Sequence, residues 1–96
     1  MIAEFSIVPI GKGESLSAQV AQAFRIVEES GVPHEYHAMG TNLEGDWDDV
    51  MTVIKACRDR LLETSNRVSL SIKIDDRVGV TDGLRRKVDS AKRHLG

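Results

Sequence analysis

Residues 68–75 alternate strictly between apolar and polar side chains, and this pattern limits the possible folds more than any other part of the chain. Apolar residues occupy the even positions from 68 to 74, while the odd positions hold Ser69, Ser71, Lys73 and Asp75. Because successive side chains of a β-strand point to opposite faces, the pattern predicts a strand with one buried and one polar face. We therefore expect a sheet that is covered on one side only.

Three more strands and two helices follow from similar patterns. Residues 2–10 alternate and end at Pro9 and a glycine-containing loop. Residues 34–39 and 41–47 predict two short strands joined at Gly40, because a hairpin turn needs a residue that tolerates positive φ. Apolar residues at helical spacing predict two amphipathic helices. Their apolar stripes are Leu16, Val20, Ala23, Phe24 and Val27, and then Val50, Val53, Ile54, Cys57 and Leu61.

The predicted order is strand, helix, strand, strand, helix, strand, followed by a third helix over residues 82–95. This order is typical of the ferredoxin-like α+β sandwich, in which two helices cover one face of the sheet. The right-handedness of crossover connections places the first strand in the centre, beside the third and fourth. The open face of the sheet would carry Glu4 and Ser6, with either Thr41 and Leu43 or Asn42 and Glu44, depending on the register.

Composition excludes several classes of protein. The 96 residues are 41% hydrophobic and predict one domain over residues 1–96, with a small core that favours self-association. The net charge of −2 argues against nucleic-acid binding, and no apolar run approaches the roughly 18 residues of a membrane helix. The single Cys57 is typical of a core residue in a reducing compartment. We therefore expect a cytoplasmic protein that binds neither nucleic acid nor a membrane.

The run from Met39 to Trp47 carries the polar groups of greatest interest. Thr41, Asn42 and Glu44 supply a hydroxyl, an amide and a carboxylate, and Trp47 supplies a ring that can stack. A small polar heteroaromatic ligand would use such groups. A turn with solvated polar residues explains the same run equally well.

Catalysis and metal binding have weaker support. His34 and His37 are three residues apart in a predicted strand, so their side chains point to opposite faces and do not converge on a metal. The loop before the first helix resembles an acylphosphatase loop only through Lys12 and, on a strand, Asn42, and it lacks the required arginine. We expect neither an enzyme nor a bound cofactor or metal.

Several segments together resemble a known family. The resemblance covers nearly the whole chain, and its most specific parts are the Gly-Thr-x-x-Glu-Gly run and the Lys-x-Asp-x-Arg strand end. The matching segments are Glu4 to Pro9, Ser15-x-Ser17, Ser30-Gly31, Met39 to Gly45, Arg67-Val68 and Ile72 to Arg77. The chain resembles the small ferredoxin-like thiamine-binding proteins of bacteria and archaea, which have relatives in yeast.

The resemblance implies a non-catalytic protein that binds thiamine or its hydroxymethylpyrimidine moiety. It also implies homodimers or homotetramers assembled through the open sheet faces. Thr41 and Glu44 are the first expected ligand contacts, with Ser6 and Met39 as further lining, and replacing Glu44 by alanine is expected to weaken binding. The physical argument adds three residues as candidate contacts: Tyr36, Asn42 and Trp47.

A structural or regulatory homo-oligomer with no metabolite ligand is the alternative to a binding protein. In that case the same polar positions would make contacts between subunits. The charged groups of Lys73, Asp75 and Arg77 are expected to form a structural or intersubunit ion network, since charged groups near interfaces usually pair.

Overall fold

The computed structural model describes residues 1–11, 16–79, 91, 92 and 95. The elements within them follow the order predicted from the sequence and form a ferredoxin-like α+β arrangement. They are β1 (Ile2–Pro9), α1 (Leu16–Ser30), β2 (His34–His37), β3 (Gly40–Glu44), α2 (Trp47–Leu62) and β4 (Val68–Asp75). Most of the helix predicted over residues 82–95 lies outside the described residues, as do Lys12 and Ser15.

The sheet has the strand order β2-β3-β1-β4, and each neighbouring pair is antiparallel. This confirms that β1 is central and lies beside the third and fourth strands. The register pairs Phe5 with Thr41 and Glu4 with Asn42. Asn42 and Glu44 therefore share the open face with Glu4, whereas Thr41 and Leu43 belong to the face that the helices cover.

The core lies between the sheet and the two helices. Phe5 and Leu43 extend from the sheet, and α1 and α2 contribute Val27 and Ile54 among others, all almost fully buried. Cys57 is completely buried, and its Sγ lies 3.7 Å from the carbonyl oxygen of Ala23 on α1. Burial raises the pKa of the Cys57 thiol to about 11, so it is protonated and unreactive at neutral pH. The prediction that Cys57 is a core residue is confirmed.

The hairpin between β2 and β3 differs from the prediction at Gly40. The turn consists of Ala38 and Met39, because His37 already pairs with Gly40. Gly40 does not have a positive φ, so the reason given for a glycine at the turn is wrong. Glycine is required because a Cβ at this position would lie 2.8 Å from the carbonyl oxygen of Phe5. Close approach of two strands, and not a left-handed conformation, explains this residue.

The start of α2 also corrects an element boundary. The third strand ends at Glu44, and Trp47 is the first residue of α2 and not the last residue of a strand. Asp46 occupies the N-cap position, although its side chain makes no capping hydrogen bond. Asp48 and Asp49 in the first turn complement the positive end of the helix dipole.

Candidate functional site

β1 is longer than the hairpin that flanks it, and this difference creates a cleft. It pairs with β4 along its whole length from Ile2 to Pro9, but with β3 only from Ile2 to Phe5. Past Phe5 the hairpin has already turned, so one edge of β1 is left without a neighbouring strand among the described residues. The space between this edge, the hairpin turn and α1 is a cleft of about 240 Å³.

The cleft is mainly apolar. Val20, Ala23 and Val27 of α1 form one wall together with Phe24, and residues 37–41 of the hairpin form another. Thr41 is only 5% exposed and places a hydroxyl-bearing side chain in the lining. No Asp or Glu lines the cleft among the described residues. Such a space suits one uncharged aromatic ring with a few hydrogen-bonding groups better than it suits a multiply charged ligand.

Three of the residues predicted as binding residues meet at the cleft: Ser6, Met39 and Thr41. Thr41 is buried, whereas Met39 is 81% exposed and lies at the rim. Ser6 lines the cleft as well, although the alternation of β1 assigns its side chain to the open face.

The other predicted residues lie elsewhere. Glu44 lines a second depression at the opposite end of β3, which we call the acidic recess. It has a volume of about 550 Å³ and also contains Asp49, Thr52 and residues 30–33. Trp47 is 56% exposed at the start of α2 and lines neither cavity. The run from residue 39 to residue 47 therefore does not converge on one site.

Asn42 belongs to a polar cluster on the open face. The Nε2 atom of His37 lies 3.2 Å from Oδ1 of Asn42 and 3.2 Å from Oε2 of Glu4. The Met39 N–H donates to Nδ1 of the same ring at 3.3 Å, so Nε2 must carry the hydrogen in the neutral imidazole. His37 therefore ties the hairpin turn at the rim of the cleft to the open face of β1.

Tyr36 packs against a residue that lines the cleft, but it does not line the cleft itself. Its hydroxyl donates to Oε1 of Glu28 at 2.8 Å, and its ring packs on Phe24 with the centroids 4.5 Å apart. Burial, followed by the neighbouring Glu28 carboxylate, raises the pKa of Tyr36 to about 12. Because Phe24 lines the cleft, Tyr36 acts as a positioning residue for that wall.

His34 belongs to the same group of side chains as Tyr36. Its Nε2 lies 3.2 Å from Oε1 of Glu28, and its Nδ1 lies 2.8 Å from the Val32 carbonyl oxygen. Hydrogen bonds from Tyr36 and His34 lower the pKa of Glu28. The rings of His34 and His37 thus have separate partners, and the described residues contain no cluster of side chains that could hold a metal ion.

Sequence reasoning missed Phe24, His37 and the main chain of β1 as parts of the site. Phe24 was assigned only to the apolar stripe of its helix, yet it is 42% exposed, which is unusual for a large core residue. Its position at the edge of that stripe was the one available signal. The main chain of β1 left no signal, since it becomes accessible only because β3 is short.

The fold and the cleft together define a small ferredoxin-like protein with an apolar cleft beside its central strand. The comparisons with known proteins assign it more closely: residues 3–92 match the family described as Thiamine-binding protein, and the chain belongs to that family. None of the described helices is long and apolar enough to cross a membrane.

Relatives occur in bacteria and archaea. A UPF0045 protein of Mycobacterium bovis is 40% identical over 96 residues, which cover 99% of this chain and 94% of the relative. A hypothetical protein of Methanocaldococcus jannaschii has a crystal structure that matches with a TM-score of 0.86 and 36% identity, over 95% of this chain and 94% of the other. A candidate thiamine biosynthesis/salvage protein of Thermotoga maritima shares the fold, with a TM-score of 0.78 and 20% identity over 92% and 96% of the two chains.

Proposed function

We propose that this protein binds thiamine or its hydroxymethylpyrimidine moiety in the cleft between α1 and β1, without catalysing a reaction on it. The observation that carries the proposal is the cleft itself, an apolar space of about 240 Å³ lined by the buried Thr41. Membership of the Thiamine-binding protein family supports the choice of ligand class. The Thermotoga maritima neighbour points to the same chemistry through its own description.

The cleft is better matched to the pyrimidine than to the thiazolium ring. A thiazolium carries a permanent positive charge, and placing an unpaired charge in an apolar space is costly. No carboxylate among the described lining residues would pair with that charge. In thiamine the pyrimidine would therefore occupy the cleft, while the thiazolium would lie toward the rim near the exposed Met39.

Binding without catalysis fits the groups in the lining. Hydroxyls and main-chain groups can orient a ring, but a nucleophile paired with a general base is not found among the described lining residues. Cys57 lies behind Ala23 and is protonated at neutral pH. We therefore propose a protein that stores, delivers or senses its ligand.

Titration calorimetry with thiamine, hydroxymethylpyrimidine and thiamine diphosphate tests the proposal. Thr41→Val keeps the shape of the side chain and removes its hydroxyl, and we expect about tenfold weaker binding, equivalent to one lost hydrogen bond of about 1.4 kcal/mol. Glu44→Gln is the matched control at the other end of β3, and its affinity should stay within about twofold of the unaltered protein.

Two results would contradict the proposal in different ways. Saturable binding that survives Thr41→Val but is lost in Glu44→Gln would move the site to the acidic recess. Absence of saturable binding for all three compounds would refute the binding of thiamine or its pyrimidine.

The open face of the sheet favours a second role, assembly into a homo-oligomer. Along β4 the open-face residues Ser71, Lys73 and Asp75 are exposed, and Val8 on β1 is 45% exposed. Nothing among the described residues covers this face. We propose that it packs against the same face of a second copy, giving a homodimer or homotetramer, and that a charge introduced by Ser71→Glu disrupts the assembly. Light scattering before and after the substitution would reveal whether the mass falls to that of the monomer.

A further inference from the structure

The direction of the main-chain groups along β1 follows from two hydrogen bonds at its ends. The Ile10 N–H donates to the Arg67 carbonyl oxygen at 2.8 Å, on the β4 side. The Gly45 N–H donates to the Met1 carbonyl oxygen at 3.0 Å, on the β3 side. In an antiparallel strand the N–H and C=O of successive residues point alternately to the two neighbours. The N–H and C=O groups of even-numbered residues of β1 thus point to β4, and those of odd-numbered residues point to β3.

Ile7 is the odd-numbered residue that the hairpin fails to reach. Phe5 pairs with Thr41, and continuing the same register would place Met39 opposite Ile7. Met39 instead belongs to the turn, and its N–H donates to His37. The N–H and C=O of Ile7 therefore have no strand partner among the described residues, and both face the cleft that Ile7 lines.

Pro9 gives independent support for this assignment. Proline lacks an N–H and is disfavoured within a central strand, where it would remove a hydrogen bond of the ladder. Position 9 is odd, so its nitrogen faces the side without a neighbouring strand and no hydrogen bond to β4 is lost. The presence of Pro9 within β1 is explained by the same free edge that exposes Ile7.

We propose that the N–H and C=O of Ile7 form hydrogen bonds with an aromatic ring that carries an amino group next to a ring nitrogen. The ring nitrogen would accept from the Ile7 N–H, and the amino group would donate to its carbonyl oxygen, as a partner strand would do. A 4-aminopyrimidine presents this donor beside this acceptor. Partly enclosed main-chain groups need such partners, because leaving them unpaired is costly. The inference rests on the proposed function, since it assigns the recognition groups within the same cleft.

Selectivity between two small pyrimidines provides the first test. Hydroxymethylpyrimidine has the 4-amino group, whereas its 4-oxo analogue has nearly the same shape but presents an acceptor beside a ring N–H. Both hydrogen bonds would then become unfavourable contacts, and we expect binding to weaken about 100-fold or more in calorimetry. Equal affinities would overturn the role of Ile7 and leave the proposed function standing. If neither pyrimidine nor thiamine binds, the proposed function fails as well.

A pair of variants and an NMR measurement provide the second test. Ile7→Pro removes the N–H and, like Pro9, leaves the hydrogen bonds to β4 intact, whereas Ile7→Ala removes most of the side chain and keeps the N–H. We expect Ile7→Pro to weaken hydroxymethylpyrimidine binding about tenfold relative to Ile7→Ala.

In the unaltered protein the Ile7 amide proton should shift and become protected from exchange when hydroxymethylpyrimidine is added. This measurement does not depend on whether Ile7→Pro folds. An Ile7 amide that is unchanged in saturated protein would overturn the proposal.

Discussion

The two ends of β3 differ sharply although only a few residues separate them. At its start Thr41 is 5% exposed and faces a small apolar cleft, whereas at its end Glu44 lines an acidic recess of about 550 Å³. Alternation sends neighbouring side chains to opposite faces, and each residue adds about 3.3 Å along the strand. Residues that look like one motif in the sequence can therefore serve two separate places.

The two ends of β3 also differ in how enclosed they are and in the charged groups that they offer. The cleft offers burial and main-chain groups but no carboxylate among its described lining residues, while the acidic recess offers Glu44 and Asp49 in a wider space. Selective binding of a neutral ring depends on enclosure and on matched hydrogen bonds, because each unmatched polar group is left unpaired. This is why the proposed site lies at the Thr41 end.

The largest expected effect comes from the residue between the two ends. Leu43 is fully buried, and Leu43→Ala should lower the free energy of unfolding by about 2–5 kcal/mol, because it removes apolar contacts and leaves a cavity. Urea denaturation measures the loss, and Leu62→Ala, at a partly buried position, should cost less. If the two ends share one core, both variants unfold in one transition. Two separate transitions would break the comparison by showing that the ends fold independently.

A pair of glycines distinguishes the ends more finely. In Gly40→Ala the new Cβ would lie 2.8 Å from the Phe5 carbonyl oxygen, and we expect a loss of about 1–3 kcal/mol in the free energy of unfolding. At Gly45 the nearest atom is Cγ2 of Val50 at 3.6 Å, an ordinary contact. Gly45→Ala should therefore change the free energy of unfolding by less than about 1 kcal/mol and serves as the control.

Binding assays on the same two variants would sharpen the comparison. Because Gly40 lines the cleft and Gly45 lines the acidic recess, only Gly40→Ala should weaken ligand binding. Equal losses in both variants would show that the two ends are coupled.

The smallest expected effect is a pH dependence from His34. The Val32 carbonyl raises the pKa of His34 above 6.5, and Glu28 raises it further, although burial opposes the shift. The folded state thus favours the protonated ring, so this stabilisation is complete below about pH 6.5 and is lost as the pH rises through the higher folded value. The urea midpoint should fall more between pH 6 and pH 8 in the unaltered protein than in His34→Gln.

The difference in slope between the unaltered protein and His34→Gln is the measured quantity. Identical slopes would show that the bonds to Val32 and Glu28 do not favour the charged ring. Glu28 cannot mask the result, because its pKa is lowered from 4.5 and its own contribution is lost only at more acidic pH.

Most of the fold could be predicted from local patterns. The alternation in β4 and the apolar stripes of α1 and α2 gave the element order, and handedness then placed β1 in the centre. The register of β3 remained open, because Thr41 and Leu43 or Asn42 and Glu44 could have faced the helices. Only the pairing with β1 decides between them, and that pairing is a contact between distant parts of the chain.

The candidate site was less accessible to prediction. Thr41, Met39 and Ser6 line the same cleft, but the sequence grouped them with Glu44 and Trp47, which lie elsewhere. The cleft depends on where β3 ends relative to β1, and strand ends are set by turn geometry and packing, not by side-chain alternation. The error at Gly40 has the same origin, since the close approach of the Phe5 carbonyl is not local in sequence.

The cleft exists because the hairpin of β2 and β3 is short, so the length of the hairpin determines whether the cleft is present. Two additional residues in each of β2 and β3 would carry the ladder as far as Ile7 and fill the space beside it with a strand pair. Chains of this fold can therefore be sorted by the number of residues between the first helix and the second. Chains with longer hairpins are expected to have a more complete sheet and no cleft beside the central strand. An insertion of four residues around Ala38 and Met39 would create such a chain from this one.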